Sequence, residues 1–309
     1  VAPSFISSFN LKNFATINSA LKKVGFEFAE ETARGAELVI DEYEKLLKER
    51  KYKNFITSCC PAVNTLISLY YPNALKYLAP VDSPVIAHAK VLKKENPDAK
   101  IVFIGPCIAK KKECRESGLI DNVLTFEELI ELLKENEIDL QEIDAAEEVS
   151  WNRERFFPIS RGIIKSFKEL ADGYEYIAMD GVEKCKEALQ KIDDLENVFL
   201  ELNSCESACI NGPCSLNKDN TAIIANAKIR NYVKDNSGTN EKNVMTKLES
   251  VDITCNHKKC NLKDIEPTEE QIREVLEKTG KYTKEDELNC GACGYSTCRE
   301  KAWAVINGY

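Results

Sequence analysis

The sequence predicts an α/β fold in which parallel-sheet βαβ units form a large domain and a small, mostly helical domain follows. Three observations lead to this fold class. Short apolar runs rich in β-branched and aromatic residues lack alternating polar positions, which is typical of strands buried on both faces. Amphipathic stretches with helix-capping signals separate these runs. Cysteines follow several of the runs directly, where an open α/β sheet holds its ligands.

Four apolar runs are predicted strands: Asn54–Thr57, Ile101–Gly105, Tyr176–Met179 and Val198–Leu202. The first, second and fourth of these lead into cysteines. A helix is predicted to begin after Thr125, because Thr125 and Glu128 form a capping box ahead of an apolar stripe.

A polar stretch rich in Gly, Ser and Asn, residues 234–243, is typical of a linker. We therefore predict two domains, residues 1–240 and residues 241–309. In the second domain, Thr268 and Gln271 form another capping box, which predicts a helix there.

Composition and charge exclude several classes of protein. Of 309 residues, 43% are hydrophobic and 30% are charged, which is typical of a folded globular chain. A net charge of −9 argues against a nucleic-acid partner, because phosphate binding needs a basic face. No apolar run approaches the roughly 20 residues that cross a bilayer, and no segment resembles a leader. We expect a cytoplasmic protein with no membrane contact, and a piece of a longer chain.

Cysteine is the unusual residue, with 13 copies that are clustered rather than scattered. Tight spacing recurs three times, in Cys59 and Cys60, in Cys205 and Cys209, and in Cys290, Cys293 and Cys298. Dense disulfides belong to small secreted domains that cannot build a core, whereas this chain is large. Clustered thiols in a reducing compartment indicate a metal protein, with zinc or an iron–sulfur cluster as the candidates.

Three cysteine motifs, read in order, resemble the catalytic domain of the [FeFe]-hydrogenases. They are Thr57-Ser58-Cys59-Cys60-Pro61, Gly105-Pro106-Cys107-Ile108-Ala109-Lys110-Lys111, and Glu201-Leu202-Asn203-Ser204-Cys205 continuing to Cys209. The resemblance also includes Ala2-Pro3-Ser4 and covers roughly residues 1–230. It implies an H-cluster, in which a [4Fe–4S] cubane is joined through a cysteine to a diiron centre carrying CO, cyanide and a dithiolate amine.

The resemblance implies a role for each matching residue. Cys60, Cys107 and Cys205 correspond to ligands of the cubane alone, and Cys209 to the ligand shared with the diiron centre. Four thiolates are also the number that a cubane takes.

Five further residues match positions around the diiron centre. Lys110 corresponds to a lysine that pairs with one cyanide, while Ala2, Pro3 and Ser4 correspond to the loop around the other. Cys59 matches the thiol that relays protons to the bridging amine, although a free cysteine taken alone is more often a small buried apolar residue.

Other cysteines and one histidine match no ligand position. Cys114 and Cys185 are expected to be structural, and His88 to be a core histidine with a partner. Cys214 is either incidental or a second thiol near the cluster.

The C-terminal cysteines have C-x2-C-x4-C spacing and resemble a small [4Fe–4S] domain: Cys290, Cys293 and Cys298. The family pattern places the fourth ligand beyond Tyr309, and Cys255 or Cys260 could supply it instead. With His257, these two cysteines could also form a small metal site of their own. Zinc in the C-terminal unit is the alternative to a second [4Fe–4S] cluster.

Catalytic members of the family carry two glutamates, three residues apart, that relay protons from the relay cysteine. Alignment on Leu46-Leu47 puts Glu42 and Lys45 at those positions, and a shift of one residue offers Asp41 and Glu44. A lysine in the relay would slow proton delivery, because its pKa lies far above neutral pH.

The pocket positions differ as well. Gly105 and Asn203 stand where catalytic members carry methionines, and Val85 replaces a glutamine. This pattern resembles the sensory-type hydrogenases, which implies slow reaction with H2 in hydrogen or redox sensing. Electrons would pass through the C-terminal cluster to a redox partner or linked signalling domain, and maturation proteins would insert the diiron unit. The alternative is a non-catalytic iron–sulfur scaffold that holds only the cubane.

Overall fold

The computed structural model describes residues 1–143, 153–217, 221–235, 251–260 and 265–308. The chain divides into two compact units, Val1–Lys259 and Cys260–Tyr309. The domain boundary predicted between residues 240 and 241 lies outside the described residues. Residues 251–259 belong to the first unit, where Thr254 forms an antiparallel bridge with Val81.

The first unit contains five strands: β1 (Phe55–Ile56), β2 (Val102–Gly105), β3 (Asn122–Thr125), β4 (Glu175–Asp180) and β5 (Val198–Asn203). All of their pairings are parallel, as predicted. They form two sheets, one in the order β1-β5-β4 and one of β2 with β3. The four predicted strands are confirmed, and β3 is the strand that the prediction missed.

Helices surround both sheets. The first unit contains α1 (Phe5–Phe9), α2 (Phe14–Lys23), α3 (Ala33–Lys48), α4 (Pro61–Tyr70), α5 (Pro84–Glu95), α6 (Ala109–Ser117), α7 (Phe126–Glu135), α8 (Gly162–Ser166), α9 (Val182–Lys191) and α10 (Ala222–Asp235). The second unit contains α11 (Glu269–Lys278) and α12 (Cys298–Ile306). The predicted α/β class with a small helical C-terminal part is confirmed.

Each sheet packs against its own apolar core. Beside β1 and β5, the rings of Phe55 and Phe199 stack with centroids 5.5 Å apart, and Tyr43 packs edge-on against Phe55. Beside β2 and β3, Phe126 packs edge-on against Phe9 from α1. The two cores leave the strand ends of both sheets facing a common region of the first unit, where the cysteine loops lie.

Two local features fix helices around that region. The Thr125 hydroxyl accepts from the Glu128 amide over 3.1 Å, and the Glu128 carboxylate accepts from the Thr125 amide over 2.7 Å, so the predicted capping box begins α7. At Gly35, α3 passes so close to α5 that an added Cβ would lie 2.0 Å from the carbonyl oxygen of Pro84. A larger residue at this crossing would force the two helices apart.

Candidate metal centre

Five cysteines from three separate loops line one cavity of about 120 Å³, and four of them are the predicted cubane ligands. Cys60 immediately precedes α4, Cys107 lies between β2 and α6, and Cys205 and Cys209 follow β5. Because β1 and β5 are neighbours, the first and third loops leave the same edge of one sheet, while the second leaves the other sheet. The cavity therefore lies between the carboxyl ends of both sheets.

The cavity gathers every residue that the [FeFe]-hydrogenase resemblance places at the H-cluster: Ala2, Pro3, Ser4, Cys59, Cys60, Cys107, Lys110, Cys205 and Cys209. These side chains come from four segments that are far apart in the sequence. The convergence depends on the fold, because no single segment supplies more than three of them.

Electrostatics in the cavity oppose free thiolates. Desolvation, reinforced by the neighbouring thiols, raises the pKa of Cys205 to about 11 and that of Cys209 well above its usual range. Desolvation also raises the pKa of Cys60. Several thiolates become stable together only if a cation shares their charge, so this donor set fits an iron–sulfur cluster.

The first residues of the chain close one wall of the cavity. The Ala2 amide donates to the carbonyl oxygen of Ile104 over 2.8 Å, which ties this segment to β2. Ser4 is fully buried, and its Oγ has no hydrogen-bond partner among the described residues. A buried hydroxyl without a partner is costly, so an acceptor bound in the cavity would satisfy it.

Lys110 brings a buried positive charge to the cavity. Its Nζ lies 2.6 Å from Oε2 of Glu113 and 3.3 Å from the carbonyl oxygen of Cys59. Burial alone would lower the pKa of Lys110, but the Glu113 carboxylate outweighs burial and raises it. Glu113 was not predicted, although its i,i+3 spacing on α6 from Lys110 was a visible signal.

Cys59 contacts a tyrosine rather than a carboxylate. Its Sγ lies 3.4 Å from the Tyr43 hydroxyl, which also accepts from the Ser58 amide over 2.8 Å. Desolvation raises the pKa of Cys59 to about 12, so its thiol keeps its proton at neutral pH.

In the hydrogen bonds and ion pairs of the described residues, neither predicted pair of relay residues contacts Cys59. Glu42 and Lys45 pair with each other on the exposed face of α3, 3.2 Å apart. Asp41 is exposed, and the buried carboxylate of Glu44 accepts the Lys168 amide over 2.6 Å. The α3 side chain that reaches Cys59 is Tyr43, between the two predicted registers.

The structure also describes the two positions, Gly105 and Asn203, at which the resemblance implies methionines in catalytic members. An added Cβ at Gly105 would lie 2.7 Å from the ring of Phe103, so this ring takes the space of a larger side chain. Asn203 lines the cavity, and its Nδ2 donates to Oδ1 of Asp180 over 3.0 Å. Phe103 and Asp180 were not singled out from the sequence.

The remaining thiols of the first unit have other surroundings. Cys114 and Cys185 are buried in apolar clusters, in agreement with a structural role. Cys214 is also buried and does not line the cavity, so it is incidental to the site. His88 is buried with its Nε2 2.8 Å from Glu30, as expected of a core histidine with a partner.

Residues 1–213 match the family described as "Iron only hydrogenase large subunit, C-terminal domain". The chain belongs to this family. The cysteine motifs, Lys110 and the segment Ala2–Ser4 that line the cavity all lie within the matched residues.

Comparisons with individual hydrogenases agree with this membership. The periplasmic [Fe] hydrogenase large subunit of Nitratidesulfovibrio vulgaris (strain Hildenborough) is 27% identical over 205 residues, covering 55% of this chain and 49% of the relative. The chain thus spans about half the length of that curated relative. An [FeFe]-hydrogenase variant from Chlamydomonas reinhardtii has a TM-score of 0.59 at 17% identity, covering 75% of this chain and 82% of its own. An apo variant of the same hydrogenase has a TM-score of 0.58 with the same coverage, and both show the shared fold.

The second unit of this hydrogenase-family chain matches a different family. Residues 286–309 match the family described as "Putative Fe-S cluster". Cys290 and Cys293 are exposed, and Cys298 begins α12, where its amide donates to Oδ1 of Asn289 over 2.8 Å. A capping box of Thr297 and Glu300 fixes the start of α12. This capping box was not predicted from the sequence.

Two observations bear on a single-ion site. In the described part of the chain, no three His, Cys, Asp or Glu side chains lie close enough together to hold one metal ion. Cys255 and His257 do contact each other, with Sγ 3.1 Å from Nε2, but the same Nε2 also lies 3.0 Å from the carbonyl oxygen of Ala79.

No helix among the described residues is long and apolar enough to cross a membrane.

Proposed function

We propose that this chain holds an H-cluster and reacts with H2, interconverting it with two protons and two electrons. The observation that carries this proposal is the convergence of Cys60, Cys107, Cys205 and Cys209 on one cavity that Lys110 also lines. Membership of the hydrogenase family supports the same function. The four thiolates would hold the cubane, with Cys209 shared with the diiron centre.

Protein groups around the diiron position have separate tasks. The Lys110 ammonium, buried and held by Glu113, offers a positive charge to an anionic ligand such as cyanide. The Ser4 hydroxyl, which has no partner among the described residues, offers a hydrogen-bond donor beside Pro3 and Ala2 in the same cavity. The bound H-cluster supplies the redox chemistry, and these residues position it and keep water away.

We infer that turnover is slow, which suits hydrogen or redox sensing. Cys59 can hold a proton at Sγ beside the cavity, but the next group outward is the buried phenol of Tyr43. Desolvation raises the pKa of Tyr43 well above its usual range, so the phenol does not release its proton readily. A positioned acid or base typically contributes about 10² to 10⁴ in rate, and this position lacks one.

The C-terminal unit would hold a second [4Fe–4S] cluster through Cys290, Cys293 and Cys298. In this proposal it exchanges electrons with a redox partner or a linked signalling domain, and maturation proteins supply the diiron unit. None of the 13 cysteines forms a disulfide, which suits a reducing compartment. A cytoplasmic location therefore stays our prediction. The curated relative, in contrast, is named periplasmic.

Infrared spectroscopy of the chain after exposure to the maturation proteins tests the proposal. We expect CO and cyanide bands together with measurable H2 evolution from a chemical reductant. Iron and sulfide at the cubane without these bands would mean a cubane-only scaffold and would contradict the hydrogenase function. A Lys110→Ala variant should lose or shift the cyanide bands, whereas Lys112→Ala, on the exposed side of the same helix, should not.

A further inference from the structure

A buried carboxylate lies one side chain behind the cavity wall. Asp180 ends β4 and is paired in register with Asn203, which ends β5. The Asn203 amide lines the cavity and donates to Oδ1 of Asp180 over 3.0 Å. Asp180 is only 9% exposed, so water screens its charge weakly. The hydrogen bond fixes the carboxylate at the edge of the sheet from which the Cys205 loop leaves.

Asp180 lies close to the ligand loop through its strand partner. Asn203 is two residues before Cys205 and lines the same cavity as Cys205 and Cys209. A negative charge at this place opposes the addition of an electron to a cluster bound there. Net charge and hydrogen bonding around an iron–sulfur cluster are among the factors that set its reduction potential.

Nearby charged groups do not cancel this effect on the same side of the cavity. Glu201, also buried on β5, has its pKa raised to about 8 by desolvation, so it is neutral at pH 7. Glu206 is paired with Lys184 over 3.4 Å, and both side chains are well exposed to solvent. Lys110 carries the opposite charge, but it lies on α6 beside the second sheet, where it pairs with Glu113 over 2.6 Å.

We propose that Asp180, held in place by Asn203, lowers the reduction potential of the cubane bound by Cys60, Cys107 and Cys205 with Cys209. This inference rests on the proposed function, because it needs a cubane in the cavity. Asp180 acts through space on the cluster and touches no reacting atom. The cubane then gives up its electron more readily and accepts one only from a stronger reductant.

The test compares reduction potentials in the full chain with its clusters reconstituted. Asp180→Asn removes the charge while keeping the shape and an oxygen that can accept the Asn203 amide. We expect the midpoint potential of the cubane, measured by redox titration with electron paramagnetic resonance, to rise. Glu183→Gln is the matched control, because Glu183 is exposed on α9 and pairs with Lys186 in solvent, so its loss should leave the potential unchanged.

Two further variants keep the outcome decisive. A Cys107→Ser chain shows which signals belong to the C-terminal cluster, and Asp180→Ser repeats the charge removal with a different side chain. If both Asp180 variants bind the cubane and titrate at the wild-type potential, the inference is overturned. If neither binds iron while the wild type does, Asp180 serves assembly instead, and the inference is again overturned. A wild-type chain that binds no cubane would refute the proposed function itself.

Discussion

Tyr43 shows how one side chain organises the loop that carries the relay thiol. Its hydroxyl accepts from the Ser58 amide, lies 2.9 Å from the Ser58 hydroxyl and contacts Sγ of Cys59. All of these contacts are buried or nearly so, which makes the phenol oxygen the centre of a small polar network in an aromatic core. The geometry of this loop therefore depends on a single oxygen atom.

Tyr43→Phe should destabilise the fold, because it leaves the buried Ser58 amide without its partner. We expect a loss of about 1–3 kcal/mol in the free energy of unfolding, measured by chemical denaturation. Tyr70→Phe is the control, since Tyr70 is 62% exposed, and it should change stability by less than about 0.5 kcal/mol. Equal stability of both variants would show that the Tyr43 hydroxyl does not support the loop.

Lys45→Glu should leave H2 evolution unchanged in the matured protein. The Lys45 side chain is 63% exposed and pairs with Glu42 in solvent, so it does not interrupt a path from Cys59. If Lys45 did block a relay, restoring an acid would raise the rate by a factor on the order of 10² to 10⁴. A rise of that size would return Lys45 to the relay and contradict the assignment of Tyr43.

Cys107→Ser should empty the cubane site while sparing the C-terminal cluster, because serine is a poor ligand for iron. Iron and sulfide analysis should show the loss of about four irons per chain. Cys185→Ser is a matched control near the same site, since a hydroxyl can keep the hydrogen bond that its thiol donates to the Asn203 carbonyl oxygen over 3.4 Å. Unchanged iron in the Cys107 variant would count against the ligand assignment.

At the scale of the elements, α3 and α5 cross at Gly35 with almost no space between their backbones. This glycine lets α3 lie against Pro84 and His88 of α5, the helix that also carries the cavity residue Val85. The crossing thus connects the packing of two helices with the shape of the cavity.

Gly35→Ala should therefore destabilise the chain by about 1–3 kcal/mol or more, because the added methyl group collides with backbone atoms that cannot rotate away. Thermal or denaturant unfolding would measure the change. Lys48→Ala, on the exposed face of the same helix, should have little effect and controls for the loss of a surface side chain. A neutral Gly35 variant would mean that α3 and α5 can move apart without cost.

The helices and strands also show how much of the fold could be predicted from the sequence. The strands before the cysteine loops and the capping box of α7 were predictable, because apolar runs and caps are local signals. The separation into two sheets was not, since strand pairing is a long-range property. The α3 side chain beside Cys59 could not be identified from the sequence, because one residue along a helix turns a side chain by about 100°. Glu44, the residue after Tyr43, is buried against the Lys168 amide instead. Glu113 was not predicted because an anionic cyanide ligand, rather than a protein carboxylate, was expected to pair with Lys110.

At the scale of the whole molecule, buried acids make stability depend on pH. Desolvation raises the pKa of Glu201 from 4.5 to about 8, so the folded chain holds a proton that the unfolded chain has released. Between about pH 4.5 and 8 the folded state therefore binds more protons, and stability falls as the pH rises. Below this window both states hold the proton, and above it both have lost it.

Glu201→Gln should flatten this decline, so that the variant gains stability relative to wild type as the pH rises towards 8. Denaturant unfolding at several pH values would measure the difference, and Glu175→Gln, at the exposed start of β4, is the control. Glu154, with its pKa raised to about 7 by desolvation, keeps the same sign of dependence in both proteins. Parallel pH profiles for wild type and Glu201→Gln would contradict the buried, neutral state of Glu201.

The four predicted cluster ligands come from three loops that are far apart in the sequence, and this affects how long the protein persists in a cell. In the proposed function, a cluster bound by Cys60, Cys107 and Cys205 would join these loops and tie the two sheets together. A group bound only by the folded state stabilises that state. Iron supply would then set how long each polypeptide survives proteolysis, as well as how many copies are active.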